Sequence, residues 1–477
     1  MSKIITADIC VIGGGSGGLS VAAGAAQLGK NTVLVEGGKM GGDCLNYGCV
    51  PSKALLAAAN AANAINNGSN FGITTTGSLI DFNKIHDHVH GVIADIAPND
   101  SVERFEGLGV TVITEYGCFV NKNTLKAGDK IIKAKRFVIA TGSSPSTPPI
   151  PGLSETPYLN NENIFNLKKA PKHLIIIGGG SIGLEMAQAY NRLGSNVTII
   201  ALNFMENEDP ELVKVLLGRL KHEGIKLQEK VSIKKISGDN NQVVVTLDNE
   251  TVTGTHLLIA TGREPNLQKL NLDNASVEYT RHGISVGSNL RTSNKSIYAI
   301  GDVTGGPGFT HKAGYDAGIV IRRIAFGMFW TKANYKALPR ATYTSPALAS
   351  VGLTEKVARE KYGDNVKIIS WPYKENDRAR ATSDVTGLVK VIVTKKGYIL
   401  GACIVGTSAD ELLAVWTMAI SQGLNIKSIA NLISPYPTLG EVNKRAASSF
   451  FTETLFSDKT KKIVKLFTQK MSQLEKI

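Results

Sequence analysis

The chain of 477 residues repeats one glycine pattern, and this repeat limits the folds that it can adopt. Both copies have the spacing Gly-x-Gly-x-x-Gly, and at one constant offset they are Gly13, Gly15, Gly18 and Gly178, Gly180, Gly183. Each copy follows an apolar strand and precedes a helical stretch rich in alanine and leucine. In that context the turn brings a helix N-terminus close to a pyrophosphate. Two copies in register therefore predict two Rossmann-like dinucleotide-binding domains in an α/β protein.

The two copies differ at the end of their second strand, where an acid would hold ribose hydroxyls. Glu36 stands there in the first copy, which predicts an FAD site. The second copy has Ala201, followed by Leu202 and Asn203, so it offers neither an acid for a 2′-hydroxyl nor an arginine for a 2′-phosphate. The second site is predicted to bind NAD(P)H. The choice between NADH and NADPH stays open, although the missing acid removes repulsion toward a phosphate.

Two cysteines, Cys44 and Cys49, follow the first glycine pattern by about one βαβ unit, in a segment that continues with Pro51 and Lys53. Pro51 fits the first turn of a helix, because its missing N–H would be unpaired there in any case. Cys49 would then lie in the positive field of the helix N-terminus, which favours a thiolate. This order of motifs predicts flavin-linked disulfide chemistry.

Two other uses of the cysteine pair fit the sequence less well. A structural disulfide suits a secreted chain, but five cysteines are sparse and the N-terminus carries no leader-like segment. A zinc site needs two further ligands, and no other Cys or His lies close by in sequence, so no metal site is predicted. The remaining cysteines stand alone in apolar segments and are expected in the core; they are Cys10, Cys118 and Cys403.

Charge and hydropathy exclude several classes of protein. The net charge is +13, but the basic residues are spread along the chain without interleaved aromatic residues, so we expect a basic surface and no nucleic-acid site. No run of about 18 apolar residues occurs, which argues against a transmembrane span, and a cytoplasmic location is expected.

From Glu441 onward there are eight Lys/Arg and four Asp/Glu, with apolar residues at helical spacing, namely Ile463, Phe467, Met471 and Leu474. This helix is expected to pack its apolar stripe on the protein, with contact to an anionic membrane as the alternative.

Short β runs that end in Thr-Gly mark the domain boundaries. One ends at Thr141-Gly142 before a proline-rich stretch, another ends at Gly262, and a later strand ends at Asp302, where a carboxylate could meet ribityl hydroxyls. The composition changes again near Tyr343. We predict four segments: an FAD domain (1–150), an NAD(P) domain (151–272), a return segment that completes the FAD domain (273–341) and a C-terminal α+β domain (342–477).

Taken together, these residues resemble the class I pyridine nucleotide–disulfide oxidoreductases, a family that includes dihydrolipoamide dehydrogenase, glutathione reductase and mercuric reductase. The similarity covers nearly the whole chain. It rests on the Cys-x4-Cys-Val-Pro-Ser-Lys motif, both glycine patterns, both Ala-Thr-Gly strands, the Gly301-Asp302 pair and the block from Pro435 to Glu441. The resemblance implies an enzyme with one FAD per subunit, NAD(P)H as second coenzyme, and a homodimer in which the C-terminal domain makes the interface and shares the active sites.

The resemblance also implies roles for single residues. Cys44 corresponds to the thiol that meets substrate, and Cys49 to the flavin-side thiol that forms a charge-transfer pair with oxidised FAD. Lys53 and Glu185 match the ion pair near the flavin N5, where an oriented cation assists hydride arrival. Further cofactor contacts are expected from Gly42, Gly117, Thr141, Gly142, Ser143, Gly262, Asp302 and His311. For His311, a purely structural role at a helix start is the alternative.

One departure from the family pattern bears on the substrate. The dithiol-handling members place a His base five residues before a Glu, whereas this chain keeps Glu441 and has Tyr436 in place of the His. A phenol with a pKa near 10 is a poorer base at neutral pH than an imidazole near 6.5. Mercuric reductase carries Tyr there, although the adjacent C-terminal cysteine pair of that enzyme is missing here.

The predicted function is therefore transfer of hydride from NAD(P)H through flavin to the Cys44–Cys49 pair, and onward to a small-molecule or thiol-bound metal substrate. Dihydrolipoamide oxidation with NAD+ is the first alternative, and an unassigned electron acceptor is the second. A flavin-binding protein without catalysis fits poorly, because the set of redox residues is complete.

Overall fold

The computed structural model of the protein describes residues 3–74 and 79–474. Up to Phe204 the strands are β1 (Lys3–Ile12), β2 (Thr32–Val35), β3 (Val110–Ile113), β4 (Gly117–Asn121), β5 (Thr124–Ala127), β6 (Lys130–Ile139), β7 (Ser143–Pro145), β8 (His173–Ile177) and β9 (Asn196–Ala201). The helices of this stretch are α1 (Ser16–Gln27), α2 (Gly42–Asn46), α3 (Cys49–Asn66), α4 (Phe82–Ile96), α5 (Val102–Gly107) and α6 (Ser181–Arg192).

The middle of the chain contains helix α7 (Pro210–His222), then a run of strands, then helix α8 (Thr310–Ile324). The strands are β10 (Lys226–Glu229), β11 (Ile233–Gly238), β12 (Val243–Leu247), β13 (Thr251–Gly254), β14 (His256–Ile259), β15 (Arg263–Pro265), β16 (Tyr279–Thr280), β17 (Gly283–Ile284) and β18 (Ile297–Ala299).

The last part of the chain alternates strands and short helices. They are β19 (Arg340–Thr342), β20 (Ala347–Gly352), α9 (Glu355–Tyr362), β21 (Val366–Pro372), α10 (Asp377–Ala381), β22 (Leu388–Thr394), β23 (Ile399–Gly406), α11 (Ala409–Leu412), α12 (Ala414–Ser421), α13 (Ile426–Ala430), α14 (Glu441–Ser449), α15 (Thr452–Leu455) and α16 (Asp458–Leu474).

The first sheet has the strand order β3-β2-β1-β6-β5-β4, and β18 also pairs with β6. Strands β3, β2, β1, β6 and β18 run parallel, whereas β4 and β5 form an antiparallel meander on the early part of β6. The central strand β1 is buried on both faces: Ile9 and Val11 pack with α1, and Cys10 and Ile12 join the core on the opposite face. This explains why β1 reads as a continuous apolar run, as expected for a parallel strand between two layers.

The second sheet repeats this arrangement. Strands β10-β9-β8-β14 are parallel, and β11-β12-β13 form an antiparallel sheet of their own. The β8-α6-β9 segment occupies the same place in this sheet as β1-α1-β2 in the first. The prediction of two Rossmann-like domains is confirmed.

The last part of the chain forms an antiparallel sheet in the order β19-β20-β23-β22-β21, with helices packed against it. Trp416 on α12 is fully buried in this core, and its indole N–H donates to Asn443 on α14 at 2.7 Å. The prediction of a C-terminal α+β domain is confirmed.

The chain forms two compact units, one of Met1–Phe204 and Glu223–Asn334, the other of Met205–His222 and Tyr335–Ile477. Helix α7 thus groups with the C-terminal sheet. A buried ion-pair network supports this grouping, because Lys390 on β22 lies 2.9 Å from Asp209, 2.8 Å from Glu355 and 3.2 Å from Glu211. Burial opposes the charge of Lys390, but these carboxylates outweigh it and raise the pKa of Lys390 above its usual value.

Two expectations from the sequence need correction. The apolar stripe of α16 does not pack within the described chain: Ile463, Phe467 and Met471 are all exposed, and the side chain of Leu474 lies outside the described part. Cys10 and Cys403 are buried as expected, but Cys118 is only partly buried. None of the described helices combines the length and the hydrophobicity that a membrane span requires. The residues after Leu474 lie outside the described part of the chain.

Candidate active site

The two glycine patterns form matching turns in front of α1 and α6. Gly15 and Gly180 precede these helices, and neither helix start has a side-chain cap. A methyl group at Gly18 would lie 1.8 Å from the carbonyl oxygen of Gly13, and one at Gly183 would lie 2.1 Å from that of Gly178, so only glycine permits this close approach of helix and strand. Uncapped N–H groups at a helix start fit a pyrophosphate.

The end of β2 places an acid beside the first turn. The Glu36 carboxylate accepts hydrogen bonds from the backbone N–H groups of Gly14 and Gly38. Gly42, at the start of α2, approaches so closely that a methyl group there would lie 2.8 Å from the Cα of Gly15. The segment that leads to the first cysteine is thereby seated against the phosphate turn, and these residues fit an adenine dinucleotide.

Ala201 is the counterpart of Glu36 in the second sheet. A methyl group at Gly14 would meet the side chain of Glu36 at 3.1 Å, and one at Gly179 would meet the Cβ of Ala201 at 2.9 Å. Ala201 therefore lies against the second glycine turn as Glu36 lies against the first, which agrees with the constant offset between the two glycine patterns. Ala201 is buried and Leu202 is exposed, and neither side chain carries a charge. On the neighbouring strand β10, Glu229 is the register partner of Ala201.

The cysteine pair lies across the junction of two helices. Cys44 belongs to α2, and Cys49 is the first residue of α3, whose start at Gly48 has no side-chain cap. The two side chains are not joined by a disulfide in this structure. The Cys44 thiol donates a hydrogen bond to Cys49 and lowers the pKa of Cys49 to about 6; burial opposes this effect, and Thr310 and Lys53 add to it. The same hydrogen bond, together with burial, raises the pKa of Cys44. Cys49 is therefore the thiolate of the pair.

Thr310 was not anticipated from the sequence. Its Oγ1 lies 3.5 Å from the Cys49 sulfur, although the two residues are far apart in the chain. Thr310 begins helix α8, directly before His311, whose ring stacks on Phe309 with centroids 5.1 Å apart. The start of α8 therefore brings a hydroxyl donor to the thiolate, and the neighbouring His311 lies in the same turn.

Lys53 and Glu185 meet as a close ion pair. The Lys53 Nζ donates to the Glu185 carboxylate at 2.9 Å and also to the Ser52 hydroxyl at 3.3 Å. Lys53 lies one turn after Cys49 on α3, and Glu185 lies on α6 just after the second phosphate turn. The pair connects the cysteine helix with the helix of the second dinucleotide fold.

A second polar network was missed by sequence reasoning. Arg263 lies 3.1 Å from Asp43, next to Cys44, and it also donates to the side chain and the carbonyl oxygen of Ser143. The Ser143 hydroxyl in turn donates to Asp302 at 2.7 Å. Asn161 donates to Asp43 as well, at 2.9 Å. These contacts bring Ser143 and Asp302 together, and they fix the backbone beside Cys44.

The remaining expected contacts lie at strand ends. The Thr141 hydroxyl donates to the carbonyl oxygen of Asn266, whose own N–H donates to the carbonyl oxygen of Gly142. Gly262 accepts from the Ser146 N–H beside the β7–β15 pair. Gly117 begins β4, where a methyl group would meet Leu125 at 2.9 Å. Close packing against Leu125 therefore favours glycine at position 117.

Tyr436 and Glu441 belong to the second unit. The Tyr436 hydroxyl donates to Asp377 at 2.9 Å, and this hydrogen bond raises the pKa of Tyr436 further above its usual value. Glu441 begins α14 and lies 3.7 Å from Arg445. Tyr436 is largely exposed, with 68% of its surface accessible. It is therefore a protonated donor at neutral pH, held by an acid that the sequence did not indicate.

Two nucleotide folds, a helix-start cysteine pair and a lysine–glutamate pair beside it define a pyridine nucleotide-dependent flavoprotein disulfide oxidoreductase. Residues 7–317 match the family model of pyridine nucleotide-disulphide oxidoreductases, and residues 338–447 match the dimerisation domain of that family. The chain belongs to this family, whose members use FAD and NAD(P)H.

Curated relatives include two kinds of enzyme at nearly equal similarity. The mercuric reductase of Bacillus cereus is 35% identical over 451 residues, covering 93% of this chain and 71% of the relative. The dihydrolipoyl dehydrogenase of Geobacillus stearothermophilus is 34% identical over 456 residues, covering 93% and 96%. Among solved structures, the HOCl-induced flavoprotein disulfide reductase RclA from Escherichia coli, as its Cu(II) complex, is 28% identical with a TM-score of 0.83, covering 92% of this chain and 99% of RclA. Overall identity does not separate the substrates of these enzymes.

Proposed function

We propose that this protein is a homodimeric NAD(P)H-dependent reductase of thiolate-bound metal ions, with Hg(II) as the first candidate. The observation that carries the proposal is the Tyr436–Asp377 hydrogen bond. A base for a dithiol must accept a proton near neutral pH. Tyr436 has a raised pKa and lacks that capacity, but it remains a hydroxyl donor and an oxygen ligand.

The proposed catalytic set is Cys44, Cys49, Lys53 and Glu185, with Tyr436 and Glu441 contributed by the other subunit of the dimer. Bound FAD would carry two electrons from the nicotinamide to the cysteine pair. Cys49 would hold negative charge at neutral pH, because its pKa is about 6. Cys44 would be the thiol that exchanges with the incoming metal–thiolate complex. Lys53, oriented by Glu185, would stabilise negative charge near the site of hydride transfer.

In the overall balance, NAD(P)H supplies two electrons as a hydride and becomes NAD(P)+. The metal ion accepts both electrons, so Hg(II) leaves as Hg(0), its two thiolate ligands are released, and one proton is set free. The cysteine pair returns to its starting state. The dinucleotide turns, Glu36 and the Ser143–Asp302 pair would hold the coenzymes. Because the pair must cycle through its dithiol form, a reducing cytoplasm suits the reaction.

Similarity to known enzymes supports this proposal at a coarser level. Mercuric reductases occur among the relatives, and RclA was solved with Cu(II). Dihydrolipoyl dehydrogenases are equally close in sequence. The residue at position 436 therefore carries more weight than overall identity.

Steady-state oxidation of NADH and NADPH by purified holoenzyme tests the proposal, with Hg(II) or Cu(II) in excess thiol, lipoamide, glutathione disulfide and quinones as acceptors. We expect turnover with thiol-bound Hg(II) to exceed turnover with lipoamide by at least about tenfold, since general base assistance worth about 10²–10⁴-fold is missing for the dithiol. Cys44→Ser should abolish metal reduction, and Cys118→Ser is the matched control. Fast lipoamide turnover without a response to Hg(II) would overturn the proposal in favour of a dihydrolipoamide dehydrogenase.

A further inference from the structure

Helix α16 (Asp458–Leu474) presents an apolar surface that nothing in the described chain covers. Its apolar side chains remain accessible: Ile463 is 43% exposed, Phe467 66% and Met471 58%. Leu455 and Phe456, which come just before the helix, are also exposed. A helix of this composition stays stable when its apolar face is buried against a neighbour. We therefore expect a binding partner that buries the apolar face of α16.

The helix is amphipathic with a basic polar face. At the helical period, Ile463, Val464, Phe467 and Met471 fall on one side. Lys461, Lys462 and Lys465 fall on the opposite side of the helix. Lys459 and Lys470 lie at the edge of the apolar side. Five lysines therefore accompany a single acid, Asp458, within the helix. Long lysine side chains can keep their ammonium groups in water while their stems cover apolar surface.

The positive charge of α16 favours an anionic lipid surface over a second copy of the chain as the binding partner. A second copy of the chain has an excess of basic residues, with a net charge of +13, so it offers the five lysines of the helix little complementary charge. The helix also lies beyond the family dimerisation domain, which ends at residue 447. An anionic lipid surface offers the complementary charge together with an apolar layer for the phenylalanine and methionine side chains.

We propose that α16 binds the surface of an anionic bilayer and makes the enzyme a peripheral membrane protein. The helix lies in the plane of the interface, with Ile463, Phe467 and Met471 inserted among the lipid chains and the lysines at the level of the headgroups. With 17 residues it spans roughly 25 Å, too short to cross a bilayer and long enough to lie on one. This inference is independent of the substrate proposed above.

Co-sedimentation of the full-length holoenzyme with vesicles tests the proposal. Vesicles of 30% phosphatidylglycerol in phosphatidylcholine should bind the protein, and vesicles of phosphatidylcholine alone should not. The triple variant Lys461→Glu, Lys462→Glu and Lys465→Glu should weaken binding at least about tenfold, because it replaces three charges that an anionic surface attracts with three that it repels. The matched control reverses three exposed lysines of the first unit, Lys122, Lys126 and Lys133, and should bind within about twofold of the wild type.

A second pair of variants separates insertion from charge. Phe467→Ser with Met471→Ser leaves the charge unchanged and should still weaken vesicle binding several-fold, whereas NAD(P)H oxidation in solution stays at the wild-type level. Truncation after Ser457 should abolish binding. The proposal is overturned if the control triple variant loses as much binding as the helix variant, if the serine pair binds like the wild type, or if neither vesicle binds. It is also overturned if truncation lowers the oligomeric mass, since a second copy would then be the occupant.

Discussion

The Lys53 ammonium lies 2.9 Å from the carboxylate of Glu185, and this contact joins the helix that begins at Cys49 to the helix of the second phosphate turn. Glu185 is almost fully buried, whereas Lys53 retains partial access to solvent. A buried carboxylate of this kind holds the cation in one orientation. The pair thus fixes a positive charge close enough to the Cys49 sulfur to help lower the pKa of Cys49.

Removal of this charge should slow reduction of the enzyme by NADPH. Lys53→Met and Glu185→Gln are each expected to lower the rate of hydride transfer by about 10²–10³-fold, the usual cost of losing one oriented charge-stabilising group. Stopped-flow loss of flavin absorbance at saturating NADPH measures this step. Lys84→Met, at an exposed lysine of α4, is the control. Reduction of both variants at the wild-type rate would show that the pair is structural only.

The Cys49 thiolate should be visible as a long-wavelength absorbance band after two-electron reduction. Cys49→Ser should remove the band and keep the flavin, and Cys44→Ser should show the band without any reductant. A thiol with a lowered pKa carries its charge above that pKa, so the band should persist at neutral pH and fade as the pH falls through about 6. Thr310→Val, which removes a hydrogen bond to the sulfur, should move the midpoint upward. A band that survives in Cys49→Ser would contradict the assignment.

Local patterns in the sequence were enough to predict much of this molecule. Glycine spacing and apolar strands specify a βαβ unit within a short segment, so both dinucleotide folds were predicted correctly. The Cys49–Thr310, Asp43–Arg263 and Tyr436–Asp377 contacts join distant segments, and no periodicity marks them. The stripe of α16 revealed an amphipathic helix, but amphipathicity alone does not identify the surface that covers it, so the packing expected within one subunit was wrong.

Coenzyme preference should follow the missing acid at Ala201. With no charge on the side chain at position 201, the kcat/KM values for NADH and NADPH should differ by less than about two orders of magnitude, or about 3 kcal/mol. Ala201→Glu should shift preference toward NADH at least about tenfold by binding ribose hydroxyls and repelling a phosphate. Ala201→Gln fills the same space without the charge and should shift it less. If the Glu variant gains nothing for NADH, Ala201 does not face the ribose.

The ion-pair network around Lys390 should matter for stability. Lys390→Met leaves the buried Asp209 carboxylate without its cation, which should cost about 3–5 kcal/mol. Lys234→Met breaks the exposed pair with Asp248 and should cost less than about 1 kcal/mol. Chemical denaturation followed by tryptophan fluorescence compares the two, and Trp416 reports on the unit that contains Lys390. Equal stability of the two variants would mean that the buried carboxylates find other partners.

Substitutions of Tyr436 test whether the substrate is a metal ion or a dithiol. Tyr436→Phe removes the hydroxyl that Asp377 orients, so reduction of thiol-bound Hg(II) should slow while reduction by NADPH is unchanged. Tyr436→His restores the His-to-Glu441 spacing of the dithiol enzymes and supplies a base that titrates near neutral pH. Dihydrolipoamide oxidation by this variant should therefore rise, up to the 10²–10⁴-fold typical of general base catalysis.

Mixed dimers test whether Tyr436 acts across the subunit interface. Cys44→Ser and Tyr436→Phe subunits, each impaired alone, should regenerate some sites with wild-type metal reduction when they are combined and exchanged. Cys44→Ser mixed with Cys49→Ser is the control, because both defects lie in the same half of the site and no intact site can form. If the first mixture stays as inactive as the second, Tyr436 and Cys44 do not serve one active site, and the loss in Tyr436→Phe must come from its own subunit.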